Sequence, residues 1–135
     1  MKDSKKSLIL IFLCFFLLTV CGAQGVKEKQ STVVEIMIIV EEGKAKCDPD
    51  PAVAQYGDDV IWKSEYTFTV DFGKRTPFEE YKFRAKKEEA KKGKGAKVTY
   101  TYAKDTGKKV KFKYLVAVLY EEEILTLDPD LEIRR

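Results

Sequence analysis

An all-β sandwich is the fold class this sequence predicts, and three observations predict it. Beyond the first 25 residues, β-prone runs recur with turn signals roughly every ten residues. Several of these runs alternate apolar and polar residues with period two, the side-chain period of a half-buried strand. No strong amphipathic helix separates them, which argues against a parallel α/β sheet.

The elements follow in chain order. Residues 1–25, "MKDSKKSLILIFLCFFLLTVCGAQG", have a basic start, an uncharged apolar run from Leu8 to Val20 and a small-residue exit. That is the layout of a signal peptide, and the run is shorter than the roughly 20 residues a membrane-spanning helix needs. Cleavage after Gly25 leaves a single domain over 26–135. In the alternative, Leu18-Thr19-Val20-Cys21 resembles a bacterial lipobox, 1–20 are removed and Cys21 carries the lipid. The departure is Val20, where a Gly, Ala or Ser is usual. Either route predicts an extracytoplasmic protein, periplasmic or secreted, that meets a membrane only through its signal or a lipid anchor.

The segment "TVVEIMIIVEE" reads as a buried strand, and "GKAKCDPDP" as turn-rich chain ending in two prolines. "AVAQYGDDVIWKSE" holds a short strand, a Gly-Asp turn and a second strand at Val60-Ile61-Trp62. In "YTFTVDF", Tyr66, Phe68, Val70 and Phe72 share one face. Helix formers dominate 79–92, but their apolar stripe is thin. A Lys-rich loop or short helix is predicted there, mobile through Lys86–Lys97 and ending at Gly93–Gly95. "AKVTYTYA" alternates as a strand, and "KDTGKK" is a hairpin-type turn. "VKFKYLVAVLYEEE" reads as the longest strand, with Val110, Phe112, Tyr114, Val116 and Val118 in period two. "ILTLDPD" turns the chain, and "LEIRR" is a short last strand with Leu131 and Ile133 inward.

Composition narrows the function classes. The chain has no histidine, so the commonest general base and metal ligand is absent, with every Ser-His or Cys-His arrangement. Charged residues make up 35% and the formal net charge is +3. The first 25 residues hold three lysines and one aspartate, so the remainder is close to neutral and gives no electrostatic case for nucleic acid. Cys14 and Cys21 leave with the signal or become lipidated. Cys47 then stands alone and no intramolecular disulfide forms.

From "YGDDVIWKSEYTFTVDF" onward the order of segments resembles the cupredoxin family. A Gly-Asp turn, Val-x-Trp and x-Phe-x-Val come first. "TPFEE" is similar to the family's Pro-Phe segment, "TGKKVKFKYLVAV" to the strand leading into the copper loop, and "DPDLEIRR" to the closing strand. The likeness spans about 33–135 and implies a Greek-key β-sandwich with Trp62 in its core. Blue-copper sites need two His, a Cys and often a Met. The corresponding places read Lys63-Ser64-Glu65-Tyr66 and Leu119-Tyr120-Glu121-Glu122-Glu123, so no copper ligand carries over. The resemblance is to a copper-free member.

The remaining candidates are weighed by residue type. Trp62, Phe68, Val70, Phe112 and Tyr114 are predicted core, and Tyr100 and Tyr102 sheet packing. Glu121-Glu122-Glu123 lacks the spacing and glycine of a Ca²⁺ loop. The two Asp-Pro-Asp triplets, at 48–50 and 128–130, are predicted turns and not a metal site. Lys86, Lys87, Lys91, Lys92, Lys94 and Lys97 offer a surface to an anionic partner. No carboxylate pair is singled out for acid–base work, so no enzyme and no cofactor is expected. The expectation is an exported, non-catalytic binding or interaction module of the cell envelope, meeting an envelope protein or anionic surface. The alternative is a metal- or redox-linked accessory protein using Cys47 and carboxylates.

Overall fold

The computed structural model describes residues 30–100 and 109–134. Residues 1–25 with Cys14 and Cys21, Tyr102, and the turn expected at 104–109 lie wholly or largely outside these residues. The described chain is all-β with one short helix. In order it forms β1 (Val33–Glu41), β2 (Lys44–Asp48), β3 (Ala52–Gln55), β4 (Asp59–Ser64), β5 (Phe68–Asp71) and β6 (Lys82–Ala85). Then come α1 (Lys87–Lys92), β7 (Lys94–Lys97), β8 (Val110–Lys113), β9 (Leu115–Tyr120), β10 (Glu123–Leu127) and β11 (Asp130–Arg134).

One mixed sheet has the order β2-β1-β4-β7, with β1 parallel to β4. Two further sheets, the four-stranded β10-β9-β5-β6 and the three-stranded β3-β11-β8, enclose the core with it. Period-two alternation sends one set of side chains inward from every layer. Ile36 and Ile38 come from β1, Val60 and Trp62 from β4, Phe68 and Val70 from β5, Val116 and Val118 from β9, and Leu131 and Ile133 from β11. Trp62 is 0% exposed at the centre. It stacks on Phe83 at 5.5 Å and meets Phe72, Phe78 and Tyr114 edge-on at 5.6 to 6.0 Å. Such geometries suit the ring quadrupoles.

The longest apolar run differs from its expected form. It is two strands in two sheets, β8 and β9, which change sheet at Tyr114, whose N–H donates to Pro129 O at 3.1 Å. The inward alternation continues unbroken through Phe112, Tyr114, Val116 and Val118. That continuity explains why the sequence reads as one strand.

Two predicted turns are strands. Lys44–Asp48 forms β2, turned back on β1 by Glu42 and Gly43 at φ 51° and 70°. Glu123–Leu127 forms β10, turned back on β9 by Glu121 and Glu122 at φ 45° and 68°. Two consecutive positive φ values are the sign pattern of a type I′ turn, the two-residue hairpin connection. No Asn-Gly announces the second turn, which is why the hairpin is hidden in a run of glutamates. In the other direction, Val98–Tyr100 is not strand. It is held by Val98 N–H to Asp58 O at 2.8 Å and by Thr99 and Tyr100 N–H to Pro77 O at 2.9 and 3.1 Å.

Of the loop and the short helix expected through Lys86–Lys97, the helix is what forms, followed by β7. Glu88 and Glu89 occupy the first turn of α1 and Lys91 and Lys92 the last, which suits the helix dipole. Ala90 is fully buried. Gly93–Gly95 is not a flexible tether. β7 pairs with β4 with Gly95 opposite Ile61. A Cβ on Gly95 would collide with the Val60 carbonyl, and one on Gly93, at φ 102°, with the Ile61 side chain. The glycines permit close strand approach.

The Gly57-Asp58 turn is as read from the sequence, and Asp58 does more than turn the chain. Its carboxylate accepts the Gln55 N–H at 2.8 Å and the Thr32 N–H at 3.2 Å, tying the start of β1 to the β3–β4 connection.

Candidate functional site

Two places hold the groups that bear on function. The first is internal. On β2, alternation turns Ala45 and Cys47 inward and Lys44 and Lys46 outward. Cys47 is 8% exposed and unpaired. Its thiol hydrogen-bonds with the Tyr114 hydroxyl, which also accepts the Trp62 indole N–H at 3.4 Å. Burial pushes the thiol up to about 12, helped by the Asp50 charge and opposed only in part by Tyr114. Burial also raises the Tyr114 hydroxyl, with the neighbouring Cys47 second. At neutral pH both groups hold their protons. A protonated, buried thiol is a poor nucleophile and a poor metal ligand.

The two Asp-Pro-Asp triplets, 80 residues apart, meet beside this node: the Asp130 N–H donates to Asp50 Oδ1 at 3.1 Å. Lys113 stands 3.9 Å from Asp128 and 3.6 Å from Asp130, and Lys111 is 4.0 Å from Asp130. The acids here serve backbone and lysine partners. Among the described residues no group of three or more His, Cys, Asp or Glu side chains is arranged to hold a metal ion. Nearby on β11, Glu132 is nearly buried. Arg134 at 2.6 Å and Lys109 at 3.3 Å hold its carboxyl below the usual carboxylate range.

The candidate lysines are all exposed but do not share one face. Lys87, Lys91 and Lys92 lie on α1, with Lys91 paired to Glu65 at 3.3 Å. Lys94 and Lys97 fall on opposite faces of β7 by alternation. Lys86 continues the row of β6.

The second place is the outer face of the β10-β9-β5-β6 sheet, which sequence reasoning missed. Register aligns Ile124 with Leu119, Thr69 with Ala117 and Arg84, and Asp71 with Leu115 and Lys82. Ile124 is 71% exposed, and Leu115 and Leu119 are each 48% exposed. Two open concavities, about 390 and 180 Å³, lie side by side on this face and share Thr69, Arg84 and Ala117. The Gly73 N–H, and after it Lys82 at 3.0 Å, keep the Asp71 carboxyl low. Arg84 has no ion-pair partner among the described residues. The available signal was Leu115-Val116-Ala117-Val118-Leu119: an antiparallel strand apolar on both faces has an outer side to cover.

No protein-family model matches this sequence, and neither the curated proteins nor the solved structures contain a significant match.

Proposed function

We propose that this chain is an exported, non-catalytic interaction module with a cupredoxin-like sandwich and no copper site. One observation carries the reading. The groups with chemical potential are committed to contacts within the chain, while on an outer sheet face aliphatic side chains stand exposed and the Arg84 guanidinium has no ion-pair partner among the described residues. Cys47 is sealed as a thiol, and Asp50, Asp128 and Asp130 serve backbone and lysine contacts. Clustered exposed aliphatics beside charge are the usual surface of a binding site.

The two segments that the family likeness assigns to copper support the copper-free reading. Ser64 is buried and its hydroxyl donates to Ile38 O at 2.9 Å, joining β4 to β1. Leu119–Glu123 is spent on a two-residue hairpin turn. The mixed sheet, with β1 parallel to β4, suits a Greek-key sandwich. Export rests on the basic start, apolar run and small-residue exit of residues 1–25.

Crosslinking and affinity capture from a native envelope fraction, with metal analysis of the purified protein, test the proposal. The expected result is a saturable protein partner, no stoichiometric copper, zinc or calcium, and an intact mass lacking the first 25 residues. Stoichiometric metal, lost together with stability on Asp50→Ala, overturns it in favour of a metal-linked role.

A further inference from the structure

We infer that the outer face of the β10-β9-β5-β6 sheet docks an amphipathic helix of a partner protein, one with an aliphatic stripe flanked by carboxylates. The inference rests on the interaction-module reading and adds the surface and the partner chemistry to it.

The face is graded across its width. Ile124 on β10 and Leu115, Ala117 and Leu119 on β9 form its aliphatic side. Thr69 on β5 and Thr67 just before it form a narrow polar row. On β6, alternate positions place Lys82 and Arg84 outward, and Lys86 continues the row in extended backbone. Lys82 is answered by Asp71, but neither Arg84 nor Lys86 forms an ion pair among the described residues. Charge complementarity therefore asks for carboxylates from outside, on one side only.

Strands about 4.8 Å apart put the β9 row roughly 10 Å from the β6 row. That matches the roughly 10–12 Å diameter of a helix with its side chains. A helix lying along the strands sets leucine-like side chains over Leu115, Leu119 and Ile124, and acids of its flank over Arg84 and Lys86. Helix-in-groove recognition of this kind takes affinity from the apolar stripe and orientation from the charges. A lipid surface fits less well. Membrane-seated segments push apolar side chains roughly 5–10 Å past the headgroups, whereas these stand beside the Asp71 carboxylate on a face that is concave where Thr69, Arg84 and Ala117 meet.

The test uses the purified protein and a fluorescein-labelled peptide of about 20 residues, long enough to be helical alone. It carries a leucine stripe with glutamates on one flank and glutamines on the other. A second peptide has lysines for glutamates. The expected result is binding of the first and not the second, falling with added salt. Arg84→Glu should weaken binding about tenfold or more, the weight of one well-placed charge contact. Ile124→Asp should abolish it, and both variants should melt with wild type. Equal binding of the two peptides, or indifference to Arg84→Glu, overturns the proposal. So does preferential binding to vesicles of phosphatidylcholine and phosphatidylglycerol, which assigns the face to a membrane. If an envelope partner is captured equally well by Arg84→Glu, the module reading stands and this face is not its site. If the glutamate peptide binds but no envelope protein is captured, the face stands and the module reading fails.

Discussion

Cys47, on the inner face of β2, and Arg84, on the outer face of β6, invert the usual ranking of residues by chemistry. A lone cysteine beside aspartates and a tyrosine looks like the makings of a site, and an arginine in a row with Lys82 and Lys86 looks like solvated surface. In the structure the cysteine shares its tyrosine with an indole and is buried, and the arginine has no ion-pair partner among the described residues. Reactivity follows surroundings more than residue type: a thiol sealed in a core is packing, and an unanswered charge beside exposed aliphatics is an interface.

Four measurements test this contrast, and the largest effect is expected inside. Trp62→Ala removes the side chain on which Phe72, Phe78, Phe83 and Tyr114 converge, and should cost about 3–5 kcal/mol. Denaturant unfolding checks it; an unchanged midpoint means the centre of the core lies elsewhere. Next is Tyr114→Phe, which keeps the ring but leaves the Trp62 N–H and the Cys47 thiol without their shared oxygen. A loss of about 1–3 kcal/mol is expected, and a neutral result means the node is packing alone.

The third concerns pH. The Cys47 thiol is raised from 9.0 to about 12, so above pH 9 the unfolded chain gives up a proton that the folded chain keeps. Its stabilisation is complete below pH 9 and is lost as pH climbs toward 12, at about 1.4 kcal/mol per pH unit. Tyr114, also raised, adds in the same direction above pH 10. Melting curves across the alkaline range should show the decline, and Cys47→Ala should flatten its first part. A wild-type curve flat from pH 9 to 10 means the thiol is open to water. The smallest effects belong outside: Arg84→Glu and Ile124→Asp should shift stability by no more than about 0.5 kcal/mol. A larger loss means the outer face is holding the fold together.

Strands with clear alternation were legible in the sequence. The Trp62 strand and Phe68–Asp71 stand where their period puts them; Val33–Glu41 is the strand its β-branched run predicts, but it is buried on one face only, with Met37 40% exposed. What failed did so for local reasons. Glu121 and Glu122 turn a hairpin without turn residues, so β10 was hidden. Tyr114 changes sheets without interrupting the inward row, so two strands look like one. Gly93 and Gly95 read as slack because nothing in the local sequence shows Ile61 lying against them. The meeting of Asp50 with Asp130 was equally out of reach, since it depends on β11 returning to β3. The outer face was half legible: its leucines were visible in β9, but Arg84 joins them only through the pairing of β5 with β6 and β9.

β11 is the last strand in chain order and the middle strand of its sheet, parallel to β3 and antiparallel to β8. Neither neighbour has a sheet to join until β11 is in place, and the partner of Ala52 is Leu131. Long-range parallel pairing of this kind closes a large loop before it is rewarded, which slows folding. The order of assembly follows. The β1–β2 and β9–β10 hairpins can form early from neighbouring residues, while the three-stranded sheet is assembled last. Until then β3 and β8 are unpaired on both sides, where the finished sheet leaves each with one open edge, and in that interval the chain is more exposed to pairing with another copy of itself.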